Sequence, residues 1–236
     1  MLPFVGIQIE MNKVIQIIPP RESIDRFRSN LLIWADDNLR VFPWREGKLS
    51  NYKIIITEIF LQRTKVETVA KFMPGFFKTY PSWKKLDKAS KKELELCLAP
   101  IGLSSRRSEV LDMLSHDMVK RNGRVPCARV EIDKLPGVGQ YIANAIELLC
   151  CGRASPLLDV NMARVLERYF GPRQLVDIRY DPYLQKLAKA VVQFEDPTLI
   201  NFAIIDLAHL VCTVKNPRCG VCLLSKDCHT YKLEYE

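Results

Sequence analysis

The chain has 236 residues, enough to bury one large hydrophobic core or two smaller ones, and its hydrophobic content of 48% is ordinary for a globular protein. Its formal net charge of +8 favours a polyanionic partner, because lysine and arginine attract phosphate groups. No apolar run reaches the roughly 18 residues that a membrane span needs, and nothing near the N-terminus resembles a secretory cleavage site. We therefore expect no membrane partner and a reducing, cytoplasmic setting.

Apolar residues recur at helical spacing along the chain, and no alternating run is long enough to indicate a strand. The sequence therefore predicts an all-α fold, with Ser23 as the cap of the first helix and Pro74 in a turn. The predicted helices cover residues 23–39, 52–70, 91–98, 101–120, 131–135, 140–149, 162–170, 183–194 and 197–211. Residues 1–20 are left as an N-terminal extension.

An acidic residue, Glu58, interrupts the otherwise strongly apolar segment 54–61. A carboxylate in such surroundings is costly unless it is paired or functional, and burial should raise its pKa. Two interpretations stay open for Glu58: an acid in a functional pocket, or a residue that is partly exposed or salt-bridged.

A glycine-rich turn, Leu135-Pro136-Gly137-Val138-Gly139, precedes the helix that begins at Gln140. Its two glycines allow the positive φ and the close backbone approach that such a turn needs, and the helix N-terminus beyond it favours an anion. The turn is not part of a dinucleotide-binding motif, because no Asp or Glu follows a predicted strand about twenty residues later. It is not a P-loop either, because it lacks Gly-Lys-Ser/Thr. It fits a helix–hairpin–helix that grips a nucleic-acid phosphate, or a plain turn between two helices.

Four cysteines near the C-terminus, Cys212, Cys219, Cys222 and Cys228, are separated by six, two and five residues. Thiols this close together bind metal or form disulfides, and the absence of a secretory signal makes disulfides the weakest choice. Zinc sites usually show two short-spaced pairs, so one short pair with longer flanking gaps favours an iron–sulfur cluster over zinc.

The glycine turn, Asp159 about twenty residues later and the cysteine spacing together resemble the helix–hairpin–helix DNA glycosylase superfamily, which contains endonuclease III and the adenine-mismatch glycosylases. The resemblance covers residues 25–228. It implies two helical domains with the active site in the cleft between them, a [4Fe–4S] cluster at the four cysteines and a double-stranded DNA substrate. The implied domains are a six-helix domain at 45–151 and a cluster domain formed by 21–44 and 152–236.

The resemblance also implies three catalytic residues. Asp159 would stabilise the positive charge that develops on the sugar and orient the attacking water, and capping of the following helix by Asp159 or Asn161 is compatible with that role. Glu58 would contact the extruded base. Tyr141 stands where lyase members hold a lysine that forms a Schiff base, so we expect a monofunctional, hydrolytic enzyme.

The implied DNA contacts lie in three segments. Gln62 and Arg63 would enter the stack vacated by the base, or form a solvated helix end, and Leu103 would act as an apolar wedge. Arg106 and Arg107 are phosphate contacts or a solvated face. The full set of candidate DNA-binding residues is Gln62, Arg63, Leu103, Ser104, Arg106, Leu135, Gly137, Val138, Gly139 and Gln140.

Tyr141 and three segments, Thr57-Glu58-Ile59, Ile101-Gly102-Leu103-Ser104 and Leu158-Asp159-Val160-Asn161, look most like those of the mismatch glycosylases that remove thymine or uracil opposite guanine. We expect a monomer whose partner is mismatched double-stranded DNA. Two alternatives remain. The segment Phe42-Pro43-Trp44-Arg45 resembles the adenine glycosylases, although it is also typical of a packed aromatic corner, and the chain ends eight residues after Cys228, which favours no further C-terminal domain. The other alternative is a DNA-binding iron–sulfur module without catalysis.

The location expected for such a protein is the cytoplasm, in association with the nucleoid, or the nucleus if the source is a eukaryote. In that reducing setting, Cys97, Cys127, Cys150 and Cys151 are most simply buried free thiols.

Overall fold

The computed structural model describes residues 17–47 and 49–235, and every regular element among them is a helix. The predicted all-α class is confirmed. The helices are α1 (Arg21–Asn38), α2 (Asn51–Leu61), α3 (Val66–Thr79), α4 (Trp83–Leu86), α5 (Lys91–Leu98), α6 (Ser104–Lys120), α7 (Arg129–Ile132), α8 (Gln140–Ala145), α9 (Val160–Phe170), α10 (Pro182–Val192), α11 (Pro197–Leu210) and α12 (His229–Tyr235). Within these residues no helix is both long and apolar enough to cross a bilayer.

The buried apolar residues form two large clusters. One lies among α1, α9, α10 and α11, where the Phe27 ring packs 4.9 Å from that of Tyr169. The other lies among α2 to α8, where the Phe60 and Phe76 rings are 4.9 Å apart. The first and last parts of the chain thus fold together, and the middle part forms its own core. The limits given above for two domains stay a prediction.

A third, small cluster joins the two halves. Ala145, Leu148 and Leu157 are buried there, and Phe202 of α11 packs against them. Ala145 ends α8, which continues as a π-helical turn, Ile146–Cys150. Helical turns of this rare type are frequent at functional sites.

Several helix predictions were wrong. The predicted helix 101–120 begins only at Ser104, because Gly102 and Leu103 have positive φ values of +74° and +50°. The predicted helix 52–70 is two helices, because the backbone leaves helical geometry at Gln62 and Arg63 has a φ of +56°. Pro74 lies inside α3, where the buried side chains of Val69, Met73 and Phe76 keep the segment helical. Ser23 is in the first turn of α1, which follows Pro20.

The prediction of four free thiols outside the C-terminal group was wrong for two of them. Cys127 and Cys151 form a disulfide, with Cα atoms 5.7 Å apart, whereas Cys97 and Cys150 are free. The loop before α7 returns to the end of the π-helical turn, which brings together two cysteines 24 positions apart. Their spacing along the chain carries no sign of this approach.

Candidate active site and nucleic-acid interface

Asp159 is the N-cap of α9. Its Oδ1 accepts hydrogen bonds from the backbone N–H groups of Asn161 and Met162, at 2.9 and 2.8 Å, and its Oδ2 accepts one from Asn161 Nδ2 at 2.6 Å. The carboxylate satisfies two of the unpaired donors of the helix end and lies at its positive pole. Because Asp159 is only partly buried, a fixed carboxylate faces accessible space.

Tyr141 lies near both this carboxylate and Glu58. Glu58 is 4% exposed, and burial raises the pKa of its carboxyl to about 7, an effect that a hydrogen bond with the Tyr141 hydroxyl partly offsets. Burial also raises the pKa of Tyr141 well above 10, and the negative charges of Glu58 and Asp159 add to this increase. The phenol is therefore within electrostatic reach of both acids.

The second oxygen of Glu58, Oε2, is buried and finds no hydrogen-bond partner among the residues that the structure describes. A buried carboxyl oxygen without a partner is costly, and most such groups in folded proteins are satisfied. The salt-bridge interpretation of Glu58 is not what the structure shows, since Glu58 forms no ion pair with any residue in the described ranges. The hydrogen-bonding capacity of Glu58 Oε2 is therefore unused by the residues that the structure describes.

Two neighbours of Glu58 were missed by the sequence analysis. The guanidinium of Arg45 lowers the pKa of Glu58, although less than burial raises it. Cys150 lies on the π-helical turn, where burial raises the pKa of its thiol to about 12 and the charge of Glu58 adds to the increase. Arg45 belongs to the segment Phe42-Pro43-Trp44-Arg45, but the sequence does not reveal the direction of its side chain. The position of Cys150 near Glu58 results from a π-helical turn, which apolar periodicity does not predict.

Arg45 is held by Asp206, which is fully buried in α11. Arg45 Nη1 lies 2.6 Å from Asp206 Oδ2, and Arg40 Nε lies 2.8 Å from Asp206 Oδ1. The rings of Phe42 and Trp44 stack 4.9 Å apart, and Arg45 lies over the Phe42 ring. The segment is thus a packed aromatic corner that directs a cation towards the site.

The hairpin turn is exposed between α7 and α8. Gly137 has a φ of +71°, and a Cβ atom there would lie 2.3 Å from Val110 Cγ1, so both conformation and space require glycine. Gly139 differs from the prediction, because its backbone is extended at a φ of −91° and a Cβ atom would have nothing within 4 Å. Leu135 is 2% exposed and belongs to the core, so only its backbone faces the turn.

Five further candidate DNA contacts lie on two neighbouring loops and in the first turn of α6, which follows the second loop. Gln62, Arg63, Leu103 and Arg106 are exposed, Ser104 is half-buried, and Leu103 is 48% exposed, as a wedge would be. Arg107 is 4% exposed, so it is neither a phosphate contact nor part of a solvated face. Both interpretations of Arg107 were wrong.

A run of hydrogen bonds leads from Asp159 along α9 to the first of the four cysteines. Asn161, which donates to Asp159, accepts from Arg164 Nη2 at 3.2 Å, and Arg164 Nε donates to the carbonyl of Cys212 at 2.9 Å. One turn later, Arg168 Nη1 lies 3.4 Å from Cys212 Sγ. Helix α9 therefore contacts the candidate acid at one end and the cysteine loop at the other.

The four C-terminal cysteines are free thiols of intermediate exposure. Burial raises the pKa of Cys222 to about 11, and the charges of the other three thiols add to the increase, so the four lie within electrostatic reach of one another. No three histidine, cysteine, aspartate or glutamate side chains of residues 17–47 and 49–235 form a group that could hold a single metal ion. The donor set consists of sulfur atoms alone, which suits soft metals.

Comparisons with known proteins identify the family of this chain. The family described as "HhH-GPD superfamily base excision DNA repair protein" matches residues 56–180. A thymine/uracil-DNA glycosylase of Pyrobaculum aerophilum is 34% identical over 217 residues, which are 89% of this chain and 94% of that protein. An adenine DNA glycosylase of Buchnera aphidicola is 30% identical, and the match covers 87% of this chain but 60% of that protein.

The fold is similar to that of a solved thermostable thymine-DNA glycosylase, with a TM-score of 0.84 and 33% sequence identity. That match covers 90% of this chain and 98% of the solved one. With the family match, the hairpin and the capped aspartate in agreement, the chain belongs to the HhH-GPD superfamily of base excision DNA repair proteins.

Proposed function

We propose that this protein is a monofunctional DNA glycosylase that removes thymine or uracil mispaired with guanine by hydrolysing the bond between the base and deoxyribose. The observation that carries the proposal is the fixed Asp159 carboxylate beside Tyr141 and a buried, protonatable Glu58. DNA is the partner that the family implies.

In this proposal, Asp159 stabilises the positive charge that develops on the sugar. Cleavage of an N-glycosidic bond passes through a state with positive charge on the sugar, which a fixed carboxylate stabilises without having to reorient. Two backbone N–H groups and the Asn161 amide hold the carboxylate in one direction. The same group can orient the attacking water.

Glu58 serves the base. Burial raises the pKa of Glu58 to about 7, so its protonated form is accessible near neutral pH and can donate a hydrogen bond to a carbonyl oxygen of thymine or uracil. Oε2 is the oxygen available for that bond, since the described residues supply it with no partner.

Tyr141 makes hydrolysis the expected route, because a phenol cannot form a Schiff base with the sugar. The nearby Lys134 is an unsuitable substitute, as its Nζ lies 2.6 Å from Glu131 Oε1 on the exposed side of α7. Water is then the nucleophile, and the product is an abasic site.

The choice of thymine or uracil over adenine rests on how the relatives match. The Pyrobaculum aerophilum thymine/uracil-DNA glycosylase is 34% identical to this chain and the solved thymine-DNA glycosylase is 33% identical, whereas the Buchnera aphidicola adenine glycosylase is 30% identical. In the motif that suggested adenine, the buried Phe42 ring stacks on Trp44, which supports a packing role for these two rings.

We also propose a [4Fe–4S] cluster held by Cys212, Cys219, Cys222 and Cys228. Four thiols in mutual electrostatic reach provide the donors that such a cluster uses. The cluster would cross-link the C-terminal loop and present Lys215 and Arg218 to phosphate, and every step assigned above to Asp159, Tyr141 and Glu58 proceeds without it.

The proposed function is tested with duplexes that each carry one T·G, U·G or A·8-oxoguanine pair, followed by alkali to cleave abasic sites. We expect strand cleavage from T·G and U·G only, and no covalent complex after borohydride treatment. Cleavage from A·8-oxoguanine alone would establish the adenine alternative, and no cleavage from any duplex would establish a binding module without catalysis.

Asp159→Asn should lower the single-turnover excision rate by far more than tenfold while mismatch affinity changes little, because the lost charge acts on the transition state. Asparagine can still cap α9, so folding should be kept. A rate above about a tenth of wild type, a loss under about 1.4 kcal/mol, would contradict the role of Asp159.

Glu58→Gln should raise stability at pH 8 and have little effect at pH 4. The folded pKa of about 7 lies above the ordinary value of 4.5, so stability falls as pH rises between these values, by about 3 kcal/mol in total. Glutamine does not ionise and avoids that loss. Urea denaturation at the two pH values measures it, and an equal gain at both would show that Glu58 does not titrate as described.

Replacing any one of the four cysteines with serine should remove a broad visible absorption and the bound iron, measured by spectroscopy and metal analysis. Cys97→Ser is the matched control, because Cys97 is a free thiol in the other core and should leave both unchanged. A colourless wild-type protein that contains zinc would contradict the cluster.

A further inference from the structure

Arg107 is a buried cation that binds two separate loops. Its Nη1 donates to the carbonyls of Ile101 and Gly102, at 2.7 and 2.6 Å. Its Nη2 donates to the carbonyls of Phe60 and Gln62, at 3.0 and 2.7 Å, and to Thr64 Oγ1 at 2.7 Å. The side chain is 4% exposed, and all five acceptors are uncharged.

The two loops, residues 62–64 and 101–103, are called the insertion loops below. Each has an exposed residue with a positive φ that non-glycine residues seldom adopt, +56° at Arg63 and +50° at Leu103. Such backbone conformations persist only where the surrounding structure fixes them. Arg107 contacts the carbonyl next to each of these residues, those of Gln62 and Gly102.

A second bond joins the insertion loops directly. Thr64 Oγ1 donates to the Ile101 carbonyl at 3.2 Å while it accepts from Arg107, so the guanidinium, the hydroxyl and the carbonyl form a closed network. The spacing between the loop tips therefore depends on Arg107, and the tips carry Gln62, Arg63 and Leu103.

We propose that Arg107 is a positioning residue for base extrusion. It holds the insertion loops at a fixed separation, so that Leu103 and the Gln62–Arg63 pair enter the base stack together when the mispaired nucleotide leaves it. This inference rests on the proposed function and adds a residue that touches neither the base nor the phosphates.

Arginine suits this role and lysine does not. A guanidinium offers five N–H donors in a rigid planar fork, whereas an ammonium offers three from a single point. A lysine at this position could bind part of one loop but could not reach all five acceptors, so the tips would lose their fixed separation. Displacement of reacting groups by about 1 Å can cost on the order of 100-fold in rate.

The test uses Arg107→Lys and a matched control, Arg28→Lys. Arg28 is also buried, at 9% exposure, and its guanidinium also donates to backbone carbonyls, those of Ala190, Val191 and Gln193, but in the other core. Both variants are studied at a temperature where circular dichroism shows them folded. Any general effect of weakening a buried arginine should appear in both.

Base extrusion is measured by the fluorescence of 2-aminopurine placed next to the thymine of a T·G duplex, with each variant in the Asp159→Asn background so that no excision occurs. We expect Arg107→Lys to reduce the fluorescence increase per bound duplex and, in the catalytic background, to lower the single-turnover excision rate by about tenfold or more. Arg28→Lys should leave both within about twofold.

Equal fluorescence increases for Arg107→Lys and Arg28→Lys would overturn the inference, as would equal losses in both. Neither result bears on the proposed function, because the excision assay with the wild-type protein tests that function separately. If wild-type protein excises no base from any duplex, the proposed function fails and this inference fails with it.

Discussion

The interaction on which the site depends is the capping of α9 by Asp159. A carboxylate that binds two backbone N–H groups cannot rotate without uncovering the helix end, so the requirements of folding fix the direction of a group that the proposed reaction needs. Substituting a cap of this kind typically costs about 1 kcal/mol of stability. The site is thereby organised before substrate arrives. A preorganised charge can stabilise the transition state without having to reorient during the reaction.

The two acids of the site differ because their surroundings differ. Asp159 is partly exposed and accepts three hydrogen bonds, whereas Glu58 is buried, binds Tyr141 and has an oxygen without a partner in the described chain. Burial favours the neutral form of Glu58, whereas the hydrogen bonds of Asp159 fix the direction of its carboxylate. The proposed reaction uses the first property to donate a hydrogen bond to the base and the second to stabilise the cation on the sugar.

Features that depend on a local sequence pattern were predictable from the sequence. Features that depend on contacts between residues far apart in the chain were not. The capping aspartate, the buried Glu58 and the left-handed Gly137 follow from neighbouring residues. The break after Leu61 did not appear in the apolar periodicity, because the chain there is shaped by Arg107, 45 positions beyond Gln62. The Cys127–Cys151 disulfide and the direction of Arg45 likewise depend on contacts that no local pattern encodes.

Helix α9 connects the candidate acid Asp159 to the C-terminal cysteine loop. Asp159 binds Asn161, Asn161 binds Arg164, and Arg164 binds the carbonyl of Cys212, so three successive contacts join the candidate acid to the cysteine loop. Arg168 adds a contact to the Cys212 sulfur, and the Cys228 thiol donates to the Arg168 carbonyl. Because these groups lie on one helix or bind it, displacement of the cysteine loop would move the partners that orient Asp159. The loop therefore belongs to the framework of the site, although its sulfur atoms take no part in the proposed chemistry.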